Sequence, residues 1–395
     1  MIQQTLRQLA ISRHWPILVA VAVLACIGVL TIWADQPAAG KKQLIFFGVA
    51  LACLMAFQVV DYRIIGHKAI PFYFAAAALI FYTVLGHMMA KVGAGVPGVS
   101  KVNGAYNWID LGAFALQPSE LMKVAYVMVI ARYLRFRSNY RTLVGLIPLF
   151  LLTAFPLLLI LGQPDLGTAL VFIPALFAML FAAGAKIRHL LGVAGMGVGI
   201  IPLLWIVGLD GVPIFQHLPS IVQEYQRNRV YAMFSDDPEV ETIGTGMQQH
   251  RALMAMGSGG FAGEGIGELA AGKRVPERRN DMIFSLIGEQ FGFIGSVVVI
   301  GCYLVIFVVS LEIAGSTREP FGRLVAVGIV VMLAGQTFIN LMVTMKLMPV
   351  TGVTLPFVSS GGSSLIASFM SIGLLLNIGQ KRPIVMGKEA FEYGD

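Results

Sequence analysis

The sequence predicts an all-α polytopic membrane protein of about ten transmembrane helices, with a large extracytoplasmic loop between helices 7 and 8. Three observations predict it. The 395 residues are 57% hydrophobic and only 12% charged, with mean hydropathy +0.79, whereas an ordinary soluble domain carries about 25% charged residues. Apolar runs close to the roughly 20 residues that cross a bilayer recur along the whole chain. Short basic clusters fall in every second connection between those runs. Helices in a bilayer pack as one bundle, so residues 1–395 read as a single transmembrane domain, with 208–281 as a loop within it.

The expected spans lie near 15–33, 44–60, 70–89, 118–134, 143–161, 168–185, 189–207, 282–311, 324–345 and 364–378. The first follows Arg7 and Arg13 and reads as a retained helix, not a cleaved signal, because equally long spans follow. The eighth is long enough to tilt or to begin outside the membrane. Basic residues mark one face: Arg63 and Lys68, Arg132 to Arg141, Lys186 and Arg188, Arg318 and Arg323, and Lys381 and Arg382. The positive-inside rule then places both termini in the cytoplasm. Lys41 and Lys42 run against that pattern. The net charge of +7 fits inner loops held against anionic membrane lipids, and no long basic tract suggests nucleic acid. Cys26, Cys53 and Cys302 lie in apolar runs and read as small buried hydrophobes.

Both long connections, 90–117 and 208–281, fall outside on this topology. The second contains GMQQHRALMAMG (246–257), expected as an amphipathic helix on the membrane surface, and then GSGGFAGEGIG (257–267), which lacks the strand a nucleotide fingerprint needs.

Candidate chemistry gathers at the outer ends of the spans. RVPERRNDMIFSLIGEQFGFIG (274–295) sets Arg274, Glu277, Arg278, Arg279 and Asp281 directly before an apolar run. An ionisable residue at the lip of a membrane helix is a functional candidate, although Asp281 would also serve as an N-cap. The arginines would attract an anionic headgroup. QPSELMK places Glu120 and Lys123 three apart on one helix face, either a pair snorkelling to the interface or a lysine turned inward toward phosphate. Asp165 in GQPDLGT suits an N-cap, with Thr168 three residues on. Trp108 in NWIDLG reads most simply as an interfacial belt residue. VTGVTLPFVSSGGSS (350–364) is either a plain turn or irregular backbone lining a cavity. No spacing suggests a metal cage.

Taken together, NGAYNWIDLGAFALQPSELMK, GQPDLGTAL, YQRNRV, GSGGFAGEGIG, NDMIFSLIGEQFGFIG and VTGVTLPFVSSGGSSL resemble the SEDS family, the RodA/FtsW group of peptidoglycan polymerases, in order and spacing. The short termini resemble the RodA type more than the FtsW type. The resemblance implies a ten-helix peptidoglycan glycosyltransferase of the bacterial cytoplasmic (inner) membrane, polymerising lipid II on the outer face for cell-wall elongation and cell shape. It implies Asp281 as the essential acid, here a general base. Lys123, Glu120, Arg274, Arg278, Arg279 and Asp165 are expected to bind substrate and diphosphate. A divalent cation, Mg or Mn, could share that duty. A class B penicillin-binding protein is the implied partner. Rival readings are a lipid II flippase or transporter, and a catalytically silent scaffold for that transpeptidase. The sequence departs from the family pattern near the site. Arg279-Asn280 replaces the usual His-Thr, Glu264 a basic residue, Ser360 a tyrosine and Asn107 a cation. Lys346 stands where a small residue is usual.

Overall fold

The computed structural model describes residues 14–102, 105–112, 114–163, 165–207, 224–234 and 244–380. Arg7, Arg13, Lys381 and Arg382, expected to mark the cytoplasmic termini, lie outside the described residues, as do 208–223 and 235–243 of the long connection.

α1 (Trp15–Asp35) and α2 (Pro37–Val59) are separated by Gln36 alone. Pro37 starts α2 where a missing N–H costs nothing. The six-residue α3 (Tyr62–His67), capped by Asp61, turns the chain into α4 (Ala69–Lys91). Then come α5 (Pro118–Phe136), α6 (Leu143–Leu161), α7 (Leu166–Ala183) and α8 (Ile187–Ile206). The shorter α9 (Glu224–Phe234) and α10 (Gly244–Ser258) precede α11 (Ile283–Ser316), α12 (Pro320–Thr344) and α13 (Gly362–Gly379). Among the described residues, eight helices are long and apolar enough to cross a membrane: α1, α2, α4, α6, α7, α11, α12 and α13. α5 and α8 stand where the fourth and seventh spans were expected. α5 reads as less apolar because it carries Glu120, Lys123, Arg132 and Arg135, yet most of it is buried among other helices.

The buried core runs through α5, α7, α12 and α13, with Met122, Tyr126, Phe172, Phe321 and Phe369 almost fully enclosed. Close approach depends on small residues, as it does wherever membrane helices lack a hydrophobic drive between them. A Cβ on Gly373 would lie 2.7 Å from the carbonyl oxygen of Leu54, so α13 can meet α2 only with glycine there.

Three local features differ from the sequence expectation. The connection 90–117 holds an antiparallel sheet of β1 (Val99–Val102), β2 (Ala105–Asp110) and β3 (Ala115–Leu116), in which Val99 pairs with Ile109 and Ser100 with Trp108. Strands this short leave little periodic signal. α10 does not merely lie on a surface: Ala252 and Ala255 are fully buried, and Gln249 Nε2 donates to the carbonyls of Val343 and Met348 at 2.9 and 2.7 Å. Cys26 is exposed, and Cys53 and Cys302 are half-buried.

α11 is broken at Gly292 (φ 63°, ψ −158°), a conformation only glycine takes without strain. Its first segment, 283–290, is buried at every position. There Glu289 accepts the amides of Ala270, Ala271 and Gly272 at 2.9, 2.8 and 2.8 Å, fastening the loop that leads back to residue 281. Glu289→Ala leaves those amides without an acceptor. At ~1 kcal/mol or more for each, it should destabilise the fold by about 3 kcal/mol, read as a lower melting temperature in detergent.

Candidate active site

A cavity of about 470 Å³ opens where the N-terminal ends of α5, α7 and α11 meet the C-terminal side of α12. Asp281, Asp165, Glu277 and Arg229 line it, with Trp108 and Ser360 at its wall. Its polar character follows from construction: helix ends and irregular backbone converge here, and such backbone at membrane depth must face protein or a wet cavity. Segment 350–364 provides much of that backbone, so the cavity-lining alternative for VTGVTLPFVSSGGSS is what the structure displays.

Asp281 is held through its own main chain and that of the two residues before it. Asn340 Nδ2 donates to the carbonyls of Asp281 and Val353, both at 2.7 Å. Ser359 Oγ donates to the Asn280 carbonyl, and the Ser360 amide to the Arg279 carbonyl at 2.8 Å. The preceding turn places Glu277 at φ 49°. The result is a carboxylate only 7% exposed, whose Oδ1 is buried without a hydrogen-bond partner among the described residues. Burial pushes its pKa up from 3.8 to about 7, and the negative charge of Glu277 pushes the same way, while its own backbone amide and then the Arg229 guanidinium pull it back. A carboxyl poised near neutrality in a polar cavity is suited to exchanging a proton.

Asp165 is both cap and cavity wall. Oδ1 accepts the Thr168 amide at 3.0 Å, and Oδ2 accepts the Thr168 hydroxyl at 2.9 Å and Gln117 Nε2 at 3.3 Å. Burial raises its pKa, and the threonine bonds pull it back.

The remaining expected site residues lie off this cavity. Lys123 Nζ and Glu120 Oε1 are 2.8 Å apart and both buried, facing a small void of about 20 Å³ beside Gln336, Ser368 and Ser371. Lys123 is therefore turned into the bundle and does not snorkel. Arg278 and Arg279 are drawn to Asp35, at 2.9 and 3.5 Å, and Arg279 also donates to Gln36. Asp35 is a nearly fully enclosed carboxylate at the end of α1, and enclosure makes a cationic partner obligatory. Arg274 is exposed, its carbonyl accepting from Arg251 at 2.9 Å. Asp35 and Gln36 give Arg279, of the Arg279-Asn280 departure, its partners.

Arg229 went unassigned in the sequence. It lies in YQRNRV on α9, lines the cavity and donates to the Val350 carbonyl at 2.9 Å. The signal was a pair of arginines in a polar helix of the long connection, with nothing in the spacing to choose between them. Trp108, read as a belt residue, lines this cavity and a neighbouring one of about 180 Å³. Lys42, the cation that broke the charge pattern, lines that second cavity with Gln43 and Ser360. Lys346 takes φ 58°, a backbone conformation that glycine adopts freely.

A sequence model of the "Cell cycle protein" family, covering FtsW, RodA and SpoVE, matches residues 8–383. The chain belongs to the FtsW/RodA/SpoVE family. Within that family it is 34% identical over 359 residues to a protein named probable peptidoglycan glycosyltransferase FtsW from Trichlorobacter lovleyi, covering 89% of this chain and 86% of that one. It is also 34% identical over 290 residues to the peptidoglycan glycosyltransferase MrdB of Escherichia coli K12, covering 71% and 73%. Its fold matches a chain of a solved peptidoglycan synthase complex, described as coordinating polymerization and crosslinking, with TM-score 0.73 and 30% identity over 92% of this chain and 97% of that one. This FtsW/RodA/SpoVE family member is a multi-pass membrane protein. Among its described residues, no three His, Cys, Asp or Glu side chains converge as a metal cage.

Proposed function

We propose that this chain is a peptidoglycan glycosyltransferase that polymerises lipid II on the outer face of the bacterial cytoplasmic membrane. The observation that carries the reading is the buried Oδ1 of Asp281, unpaired among the described residues, in a polar cavity it shares with Arg229. In the reaction, the Asp281 carboxylate takes the proton from the 4-hydroxyl of one lipid-linked GlcNAc. The freed oxygen bonds to C1 of the MurNAc on a second lipid as the C1–O bond to its diphosphate breaks. Undecaprenyl diphosphate leaves with the electron pair, and Arg229 faces the charge that develops. Asp165 shapes the wall through its bonds to Gln117 and Thr168, and Lys42 offers a cation in the adjoining cavity for the second lipid-linked substrate. Glu120 and Lys123 support α5 from within, while Arg278 and Arg279 act through Asp35, tying the loop before α11 to α1.

Orientation is part of the same reading. Arg135 bridges Glu319 at 2.8 Å, so the basic connections after α5 and α11 meet at the end of the bundle remote from Asp281. The positive-inside rule supports a cytoplasmic location for that end and both termini, with the site outside. A class B penicillin-binding protein is the proposed partner, in keeping with the synthase complex the fold resembles. The FtsW relative, 34% identical over 359 residues, and MrdB, 34% identical over 290, are both named for this activity.

Purified protein incubated with labelled lipid II, with and without the transpeptidase, should yield glycan polymer. Movement of lipid II across vesicles without polymer would favour the transporter. Cell-wall growth unaffected by loss of the Asp281 carboxylate would favour the scaffold.

The pKa of Asp281 makes a further prediction. The base acts as carboxylate, so the rate should rise with pH to a plateau, with a midpoint of about 7. Glu277→Gln removes the like charge that raises this pKa and should shift the acid limb to lower pH, measured as initial rates of polymer formation from pH 5 to 9.

A further inference from the structure

A second cleft, of about 420 Å³, opens between α4, α5 and α6. α5 fixes its position. Gln117 at the start of that helix lines the Asp281 cavity, whereas Arg132, Tyr133, Phe136 and Arg137 at its far end line the cleft. A helix of 19 residues spans about 28 Å, close to the ~30 Å of a hydrocarbon core. The cleft therefore belongs to the opposite membrane face.

Its walls are apolar. Ile70 and Phe74 come from α4, Pro148 and Leu152 from α6, and Ile70, Phe74 and Phe136 are all well exposed. Tyr73 at its base spends its hydroxyl on the Leu152 carbonyl at 2.6 Å. A gap of this character offers water too few partners, and hydrocarbon fills it better. Its mouth is cationic: among the described residues that line it, Arg132 and Arg137 are charged and none is acidic. Arg132 Nη1 donates to the carbonyls of Gly66 and His67, both at 2.9 Å, which fixes the guanidinium at the lip. Arg137 is exposed beside it, while Arg135 is matched by Glu319.

We propose that this cleft seats one anionic diacyl phospholipid of the leaflet opposite the active site. An acyl chain lies between α4 and α6, and the phosphodiester sits at Arg132 and Arg137. Basic pockets between membrane helices recognise anionic headgroups in this way. The order of parts along the cleft, apolar walls and then a cationic lip, matches the order of parts in a phospholipid. The assignment is independent of the reaction proposed above.

The test is native mass spectrometry of the protein released from nanodiscs containing equal phosphatidylglycerol and phosphatidylcholine. The wild type should retain phosphatidylglycerol in preference. Arg137→Gln, an exposed position, should reduce that preference about fivefold. Leu152→Trp fills the cleft and should remove one retained lipid. Equal retention of the two lipids by the wild type, or an unchanged preference in Arg137→Gln, overturns the proposal. So does inorganic phosphate raising the melting temperature as far as phosphatidylglycerol does, since that would place a free anion at the arginines.

Discussion

Asp281→Asn is expected to cut polymerisation of lipid II by about 10²–10⁴-fold, the usual loss when a general base is removed. The fold should survive, because the contacts that hold residue 281 are made to its main chain by Asn340 and to its neighbours by Ser359 and Ser360. Stability supplies an independent sign. The folded-state pKa is raised, so the native protein holds a proton that the unfolded chain has released over the window from about 4 to about 7. Stability contributed by that proton is lost as pH rises through about 7. The neutral amide escapes this loss, so at pH 8 the Asn variant should melt above the parent while making almost no polymer. Glycan chains on gels and melting temperature in detergent, measured on the same preparation, check both halves. Parental activity in this variant would end the general-base assignment.

Arg229→Gln should lower kcat by about 10²–10³-fold, the range found when one donor to a developing charge is removed. KM should change much less if Arg229 meets the diphosphate mainly as it departs. Arg229→Lys keeps the charge without the planar fork and should fall between the parent and the glutamine variant. The comparison that separates chemistry from architecture is Arg278→Gln, because Arg278 is bound to Asp35 and does not line the cavity. Its loss should appear mainly as a lower melting temperature. A larger fall in kcat for Arg278→Gln than for Arg229→Gln would return the diphosphate to the loop before α11.

Legibility in the sequence followed the range of the interactions. Helix positions were readable because membrane hydrocarbon imposes a length and an apolarity on each segment separately, and 143–161 matched α6 at both ends. The acid at Asp281 was readable because a charge beside a long apolar run is costly wherever the run packs. The break at Gly292 was not, since a glycine in an apolar run reads the same whether the helix continues or stops. The arginines at 274, 278 and 279 were nearer Asp281 in sequence than Arg229 was. Their side chains nevertheless go elsewhere, two of them to Asp35, 243 residues before Arg278 along the chain. Pairing of that kind is set by which helices touch.

By itself the sequence determined that the chain crosses a membrane many times, which ends of its helices are basic, and which carboxylate stands at a helix lip. Those properties are local, governed by transfer of each segment between water and hydrocarbon. Tertiary structure alone decided that Arg229, Trp108 and Asp165 share a cavity with Asp281, that Lys123 turns inward to Glu120, and that Lys42 borders an adjoining cavity. Each of those depends on long-range packing of helix ends, where buried charges take the partners that fall within reach.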